Sequence, residues 1–183
     1  LDSYGWSGTS YIIPELIGSS GYLTEKDLNI LHQAGWDNSG HGEIDLRELS
    51  YEEMVAHLRR TKKYLYEQEY QGSENYAYPN GGYNKQIEQE MRKYFATGRT
   101  ASGLSQSLSY LAPGRINTKV ISRDTSVAEI KQWVDEAVSE NTWLILTWHK
   151  LVDNPGHDIE YSISDFNEVL DYIHTSDIEV MPV

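Results

Sequence analysis

The sequence predicts an α/β fold with a mainly parallel sheet. Short β-branched or aromatic runs alternate with amphipathic helical segments, and the connections between runs are too long for hairpins. Three Ser/Thr-x-x-Asp/Glu signatures, at Thr24, Ser50 and Ser126, mark helix starts between those runs. The architecture expected is an α/β barrel or a doubly wound sheet. Both place a ligand site at the carboxyl ends of the strands.

The elements follow in order. Leu1 to Trp6 reads as a helix end broken at Gly5, and Gly8 to Ile13 as a strand stopped by Pro14. Thr24 caps a helix with Leu28 and Leu31 inward, closed by Gly35, and a short apolar buried strand leads from Trp36 into the His41 loop. Ser50 and Glu53 open the longest helix, to about Glu69, with Tyr51, Val55, Leu58 and Leu65 inward; Arg59, Arg60, Lys62 and Lys63 form a solvated side. Tyr76 to Tyr78 is a strand before the turn Pro79-Asn80-Gly81-Gly82, and Ile87, Met91 and Phe95 mark the next helix. Ala96 to Pro113, rich in Ser and Gly, has no decisive periodicity. Lys119 to Ile121 is a strand, and Ser126 caps a helix with Ile130, Val134 and Val138 inward. Trp143 to Trp148 reads as one strand buried on both faces. A long loop, a helix from Ser162 with Phe166, Leu170 and Ile173 inward, and a closing strand Ile178 to Val183 complete the chain.

Composition narrows the function. Hydrophobic residues make up 39% and charged residues 23%, so one globular domain spanning 1–183 is expected. No run of 18 apolar residues occurs, and no signal peptide is visible, although the start at Leu1 suits a processed or trimmed product. A formal charge of −13 disfavours nucleic acid as partner. The absence of Cys excludes disulfides, zinc-thiolate sites and a Cys nucleophile. It also points weakly to an extracellular, cell-surface or periplasmic location. Fourteen Tyr and five Trp against two Phe suit a wet, sugar-binding surface.

Three polar positions from distant parts of the chain, His41, Asn80 and His149, each follow a predicted strand and so belong on one rim. His41 and Asp45, four apart, could face one divalent cation; imidazole with carboxylate suits zinc and its neighbours. Asp45 could equally order the turn before Ser50. His149 could be a general acid or base, or a histidine bonded to backbone at a strand end. His32, His57, His157 and His174 read as surface residues. A glycosidase would need two inward carboxylates, for which Glu15, Glu43 and Asp153 are the rim candidates.

The stretches GTSYIIPELIGSSGYLTEKDLNILHQAGWDNSGHG, LSYEEMVAHLRRTKKYL, YAYPNGGYN and LILTWH together resemble the polysaccharide deacetylases of carbohydrate esterase family four, in family order and over almost the whole chain. The resemblance implies a distorted (β/α) barrel of mainly parallel strands. It also implies hydrolysis of N- or O-acetyl groups on an acetylated polysaccharide or oligosaccharide, with a divalent metal, expected to be zinc, polarising the carbonyl. His41 then matches the first metal histidine and His149 the general acid. The second metal histidine falls at Asp45, the groove-wall Arg at Ala77, and the Tyr beside the oxyanion position at Asn80, whose backbone amide could still serve. Asn80 and Trp148 are the implied substrate contacts. No match to the family's Asp-Trp motif appears in residues 100 to 125. The family's Asp-Asp strand would precede Leu1, so the barrel is expected to be incomplete, its gap filled by an upstream segment or a partner chain. The alternative is a non-catalytic relative that binds carbohydrate or serves a structural role in an extracellular assembly.

Overall fold

The computed structural model describes residues 1–107, 111–176 and 178–183. Residues 108–110, inside the stretch whose fold the sequence leaves undecided, lie outside the described part. The chain divides into two compact units: Leu1–Thr100 with Ala112–Ile116 and Val180–Val183, and Ala101–Leu111 with Asn117–Glu179.

The first unit alternates β1 (Thr9–Ile12), α1 (Glu25–Gln33), β2 (Asp37–Gly40), α2 (Tyr51–Glu67), β3 (Asn75–Ala77), α3 (Lys85–Met91) and β4 (Thr97–Arg99). Its strands form one parallel sheet in the order β1-β2-β3-β4, as expected of strand–helix–strand units. The expected capping boxes are present: Thr24 accepts from the Asp27 N–H while Asp27 accepts from Thr24, and Ser50 and Glu53 repeat the exchange. Helix α2 buries Met54, His57, Leu58, Thr61 and Leu65. Of these, Met54, Leu58 and Leu65 join Leu28, Tyr76, Tyr78, Met91 and Phe95 in one hydrophobic core. The sheet curls, so that the Arg99 guanidinium of β4 stacks on the Tyr11 ring of β1, 4.8 Å from its centroid. Among the described residues the strand pairings stay open and do not close a ring. The fold class is therefore α/β, an incomplete parallel barrel.

The second unit holds β5 (Gln106–Ser107), β6 (Lys119–Val120), α4 (Val127–Glu140), β7 (Thr142–Trp143), β8 (Leu146–Thr147), β9 (Lys150–Val152), β10 (Glu160–Ser162) and α5 (Ile163–Thr175). The pairs β6-β8 and β9-β10 are parallel, and β5-β7 is antiparallel. Ser126 and Ser162 accept from the N–H groups of Glu129 and Asp165, and α4 packs on α5.

Several expectations are corrected. The strand after α1 is polar, Asp-Asn-Ser-Gly, because the small side chains let neighbours approach and Asn38 spends its amide on the Leu28 carbonyl at 3.0 Å. Trp143–Trp148 is two strands with different partners, and within it only Ile145 is buried. No strand runs over 178–183, where Pro182 could not have donated to a ladder. Val183 is instead held between the first unit's strands, its N–H donating to Thr9 Oγ1 and its carbonyl accepting from Asn75 Nδ2, both at 2.8 Å. His57 is buried rather than on the surface. Tyr51 and Val138 face outward, with Met54 and Ala137 in the inward positions. Lys62 turns back to Glu74 and the Ser73 carbonyl instead of standing in solvent.

A polar clasp orders the long loop before α5. Glu160 accepts from Lys150 Nζ at 2.6 Å and from the N–H groups of Gly156 and His157 at 2.8 and 3.1 Å. The Lys150 ammonium, helped by those two N–H groups, draws the Glu160 carboxyl down from 4.5 to about 2. Because the folded value lies below the unfolded one, the stabilisation is complete above about pH 4.5 and is lost as pH falls through about 2. In acid titrations followed by circular dichroism, the stability difference between wild type and Glu160→Gln should be constant near neutrality and vanish across that window. A difference that does not change with pH would refute the assignment.

Candidate active site

The rim at the carboxyl ends of β2, β3 and β4 is built by backbone register. Gly40 pairs with Tyr76 and Ala77 with Arg99, which brings the His41 loop beside the Tyr78–Gly82 turn. The His41 N–H donates to the Ile12 carbonyl at 2.9 Å and anchors the loop to β1. The ring Nδ1 lies 2.8 Å from the Ala77 carbonyl. A carbonyl oxygen can only accept, so Nδ1 carries a proton and donates it to Ala77. Histidines that serve as ligands or bases are commonly oriented this way. At the turn, Asn80 adopts φ 54° and ψ 16°, a left-handed conformation that Asn tolerates better than most residues.

Asp45 is buried, at 4% exposure, and the structure supports its turn-ordering role. Its carboxylate accepts from the Arg47 backbone N–H at 2.9 Å, from Nε at 3.0 Å and from Nη2 at 2.6 Å. These bonds from Arg47, together with its charge, hold the Asp45 carboxyl below the usual range. Gly82 closes over the pair. A Cβ there would sit 2.6 Å from Nε of Arg47 and closer still to both Asp45 oxygens.

The donor set in this chain does not fit a resident divalent metal. Among the described residues no group of three His, Asp or Glu side chains is placed to hold one. Both oxygens of Asp45 are already engaged by Arg47.

A second polar chain, which sequence reasoning missed, lies beside the loop. His57 Nε2 is 3.0 Å from the Tyr76 hydroxyl, and Nδ1 is 3.8 Å from Glu15, whose carboxyl is held low chiefly by that imidazole. The signal was available, since His57 falls three residues after Met54 and four before Thr61, on the buried stripe of α2. Glu15, Glu43, Ile44 and His57 line a cleft of about 320 Å³ on this side of the loop. Glu15 is thus committed to His57 and, at 3.8 Å, to Arg60. That commitment argues against its acting as a glycosidase carboxylate.

His149 and Trp148 belong to the second unit, immediately after β8. His149 is exposed. Trp148 sets its ring edge-on to Phe166 at 5.0 Å, and its indole N–H is buried with no hydrogen-bond partner among the described residues.

The fold is that of the polysaccharide deacetylases. The chain is similar to the Streptococcus pyogenes deacetylase PplD solved with acetate, at 26% identity over 64% of this chain and 54% of that one, TM-score 0.57. It is also similar to the polysaccharide deacetylase BC0361 from Bacillus cereus, at 17% identity over 69% and 41%, TM-score 0.62. Its likeness to BA0330 from Bacillus anthracis, assigned to the same class, is 18% over 68% and 40%, TM-score 0.59. The chain spans between 40% and 54% of the length of these structures. No family model matches the chain, and no curated protein does.

Gly82 has φ −77° and ψ 119°, open to any residue, so a substitution there acts through space rather than backbone strain. Gly82→Ala should push the Asp45–Arg47 pair apart and cost about 1–3 kcal/mol in urea unfolding, the usual penalty of overpacking. Wild-type stability in that variant would show that the pair does not depend on this close approach.

Proposed function

We propose that the chain acts on an acetylated glycan as a deacetylase, hydrolysing N- or O-acetyl groups. The observation that carries this reading is the His41 ring, oriented by the Ala77 carbonyl at the rim of a deacetylase-type sheet. In this reading His149 protonates the leaving amine and the backbone N–H at the Asn80 turn serves the oxyanion. Asn80 and Trp148 contact the sugar. The acidic, tyrosine-rich composition supports a neutral or cationic carbohydrate partner and an extracellular, cell-surface or periplasmic setting.

A second reading is favoured by one feature. Asp45, at the position of the second metal histidine in the resemblance, is tied up by Arg47, as in a barrel that binds glycan without cleaving it. Acetate release from acetylated chitooligosaccharides, with and without added zinc, separates the two. Under the deacetylase reading wild type releases acetate, and His149→Ala lowers the rate about 10²-fold or more, as expected for loss of a general acid. Glycan binding without acetate release in either condition would support the second reading and overturn the first.

A further inference from the structure

The most deeply buried arginine of the first unit has no counter-charge among the described residues. Arg99, at the carboxyl end of β4, is 7% exposed, yet no carboxylate among the described residues lies within 4.0 Å of it. Four of the six other arginines differ in this respect. Arg47, Arg60, Arg115 and Arg123, with side chains 39% exposed or more, each pair with an Asp or Glu. In a chain with 28 acidic residues against 15 Lys and Arg, a missing partner for the buried cation is not a matter of supply.

Arg99 donates one hydrogen bond to protein, from Nη1 to the Thr100 carbonyl at 3.2 Å, while its Nε is buried and has no partner among the described residues. The guanidinium stacks on the Tyr11 ring. The Tyr11 hydroxyl is buried with no acceptor for its proton among the described residues, and burial pushes that phenol up to about 12 against the charge and hydrogen bonding of the neighbouring Arg99. The Arg99 Nε–H and the Tyr11 O–H thus converge from the two edge strands of the sheet with no acceptor among the described residues, on the face where the sheet curls. A buried charge left in this state is costly unless something pairs with it. A planar fork of N–H groups beside a phenol O–H matches the two oxygens of a carboxylate.

We propose that Arg99 and the Tyr11 hydroxyl form a binding site for a small carboxylate on the curled face of the first unit's sheet. The guanidinium supplies the charge and the fork, and the phenol supplies a third donor. The site needs neither a metal nor acetyl hydrolysis, so it stands or falls independently of the deacetylase reading.

The test uses the full chain as wild type, Arg99→Met and Tyr11→Phe, in buffer free of carboxylates. Sodium formate and sodium acetate are titrated against sodium chloride at matched ionic strength, with the thermal midpoint and calorimetric binding as readouts. Wild type should show a saturable rise in midpoint with formate or acetate beyond the chloride control. Arg99→Met should show no such rise and should be at least as stable as wild type without carboxylate, because it no longer buries an unpaired charge. Tyr11→Phe should weaken formate binding about fivefold, as expected for one hydrogen bond lost. No rise in wild type, an equal rise with chloride, or an equal rise in Arg99→Met would overturn the proposal. If Arg99→Met does not fold, unchanged formate affinity in Tyr11→Phe overturns it instead.

Discussion

Strand β2 is the constraint around which the first unit is arranged. Its four residues, Asp37 to Gly40, are polar or small, yet three of them are buried. A strand with no hydrophobic side chains to contribute must be stabilised by what comes close to it. Asn38 donates to the Leu28 carbonyl in the first half of α1, Gly40 gives room to Thr61, Tyr76 and Phe95, and Gly72 fits against Ser39. Adding a Cβ at Gly40 or Gly72 would meet side chains or backbone at 3.0 Å or less. The position of His41, the first residue after this strand, follows from that close packing, because its N–H is fixed to the Ile12 carbonyl.

The helices were legible in the sequence because their signals are local. Thr24 with Asp27 and Ser50 with Glu53 form reciprocal caps, and Leu58, Ile87, Met91 and Val134 sit inward as their spacing predicts. The strands were less legible. At two to four residues each they carry too little pattern, and β2 inverts the usual composition of a buried strand. Trp143–Trp148 misleads because a continuous apolar run says nothing of partners, and here its two halves pair with β5 and β6. Arg99 lies in a stretch with no periodicity, and its burial against Tyr11 depends on the curl of the sheet, which no local signal encodes.

At the site the outcome divides along the same line. His41 is placed as expected, since a residue just past a parallel strand falls on the rim whatever its neighbours are. Asp45 kept two readings open at the level of spacing, and only the Arg47 side chain, two residues on, decides between ordering the turn and facing a cation. A bidentate pair of this kind is local in sequence, but its geometry depends on the space that Gly82 leaves.

The clasp on Val183 has a bearing on how the molecule is made. Val183 is bonded to Thr9, 174 positions earlier, and to Asn75. The second unit, Ala101–Leu111 with Asn117–Glu179, lies in sequence between Thr100 and Val180, so the first unit is interrupted and then resumed. During synthesis the early strands must therefore wait, without these two bonds, until residues 180–183 emerge. Contacts of such long range are slow to form and leave a partly assembled sheet exposed in the meantime. Residues 180–183 thus act as the closing stitch of a unit whose first strand lies some 170 positions earlier.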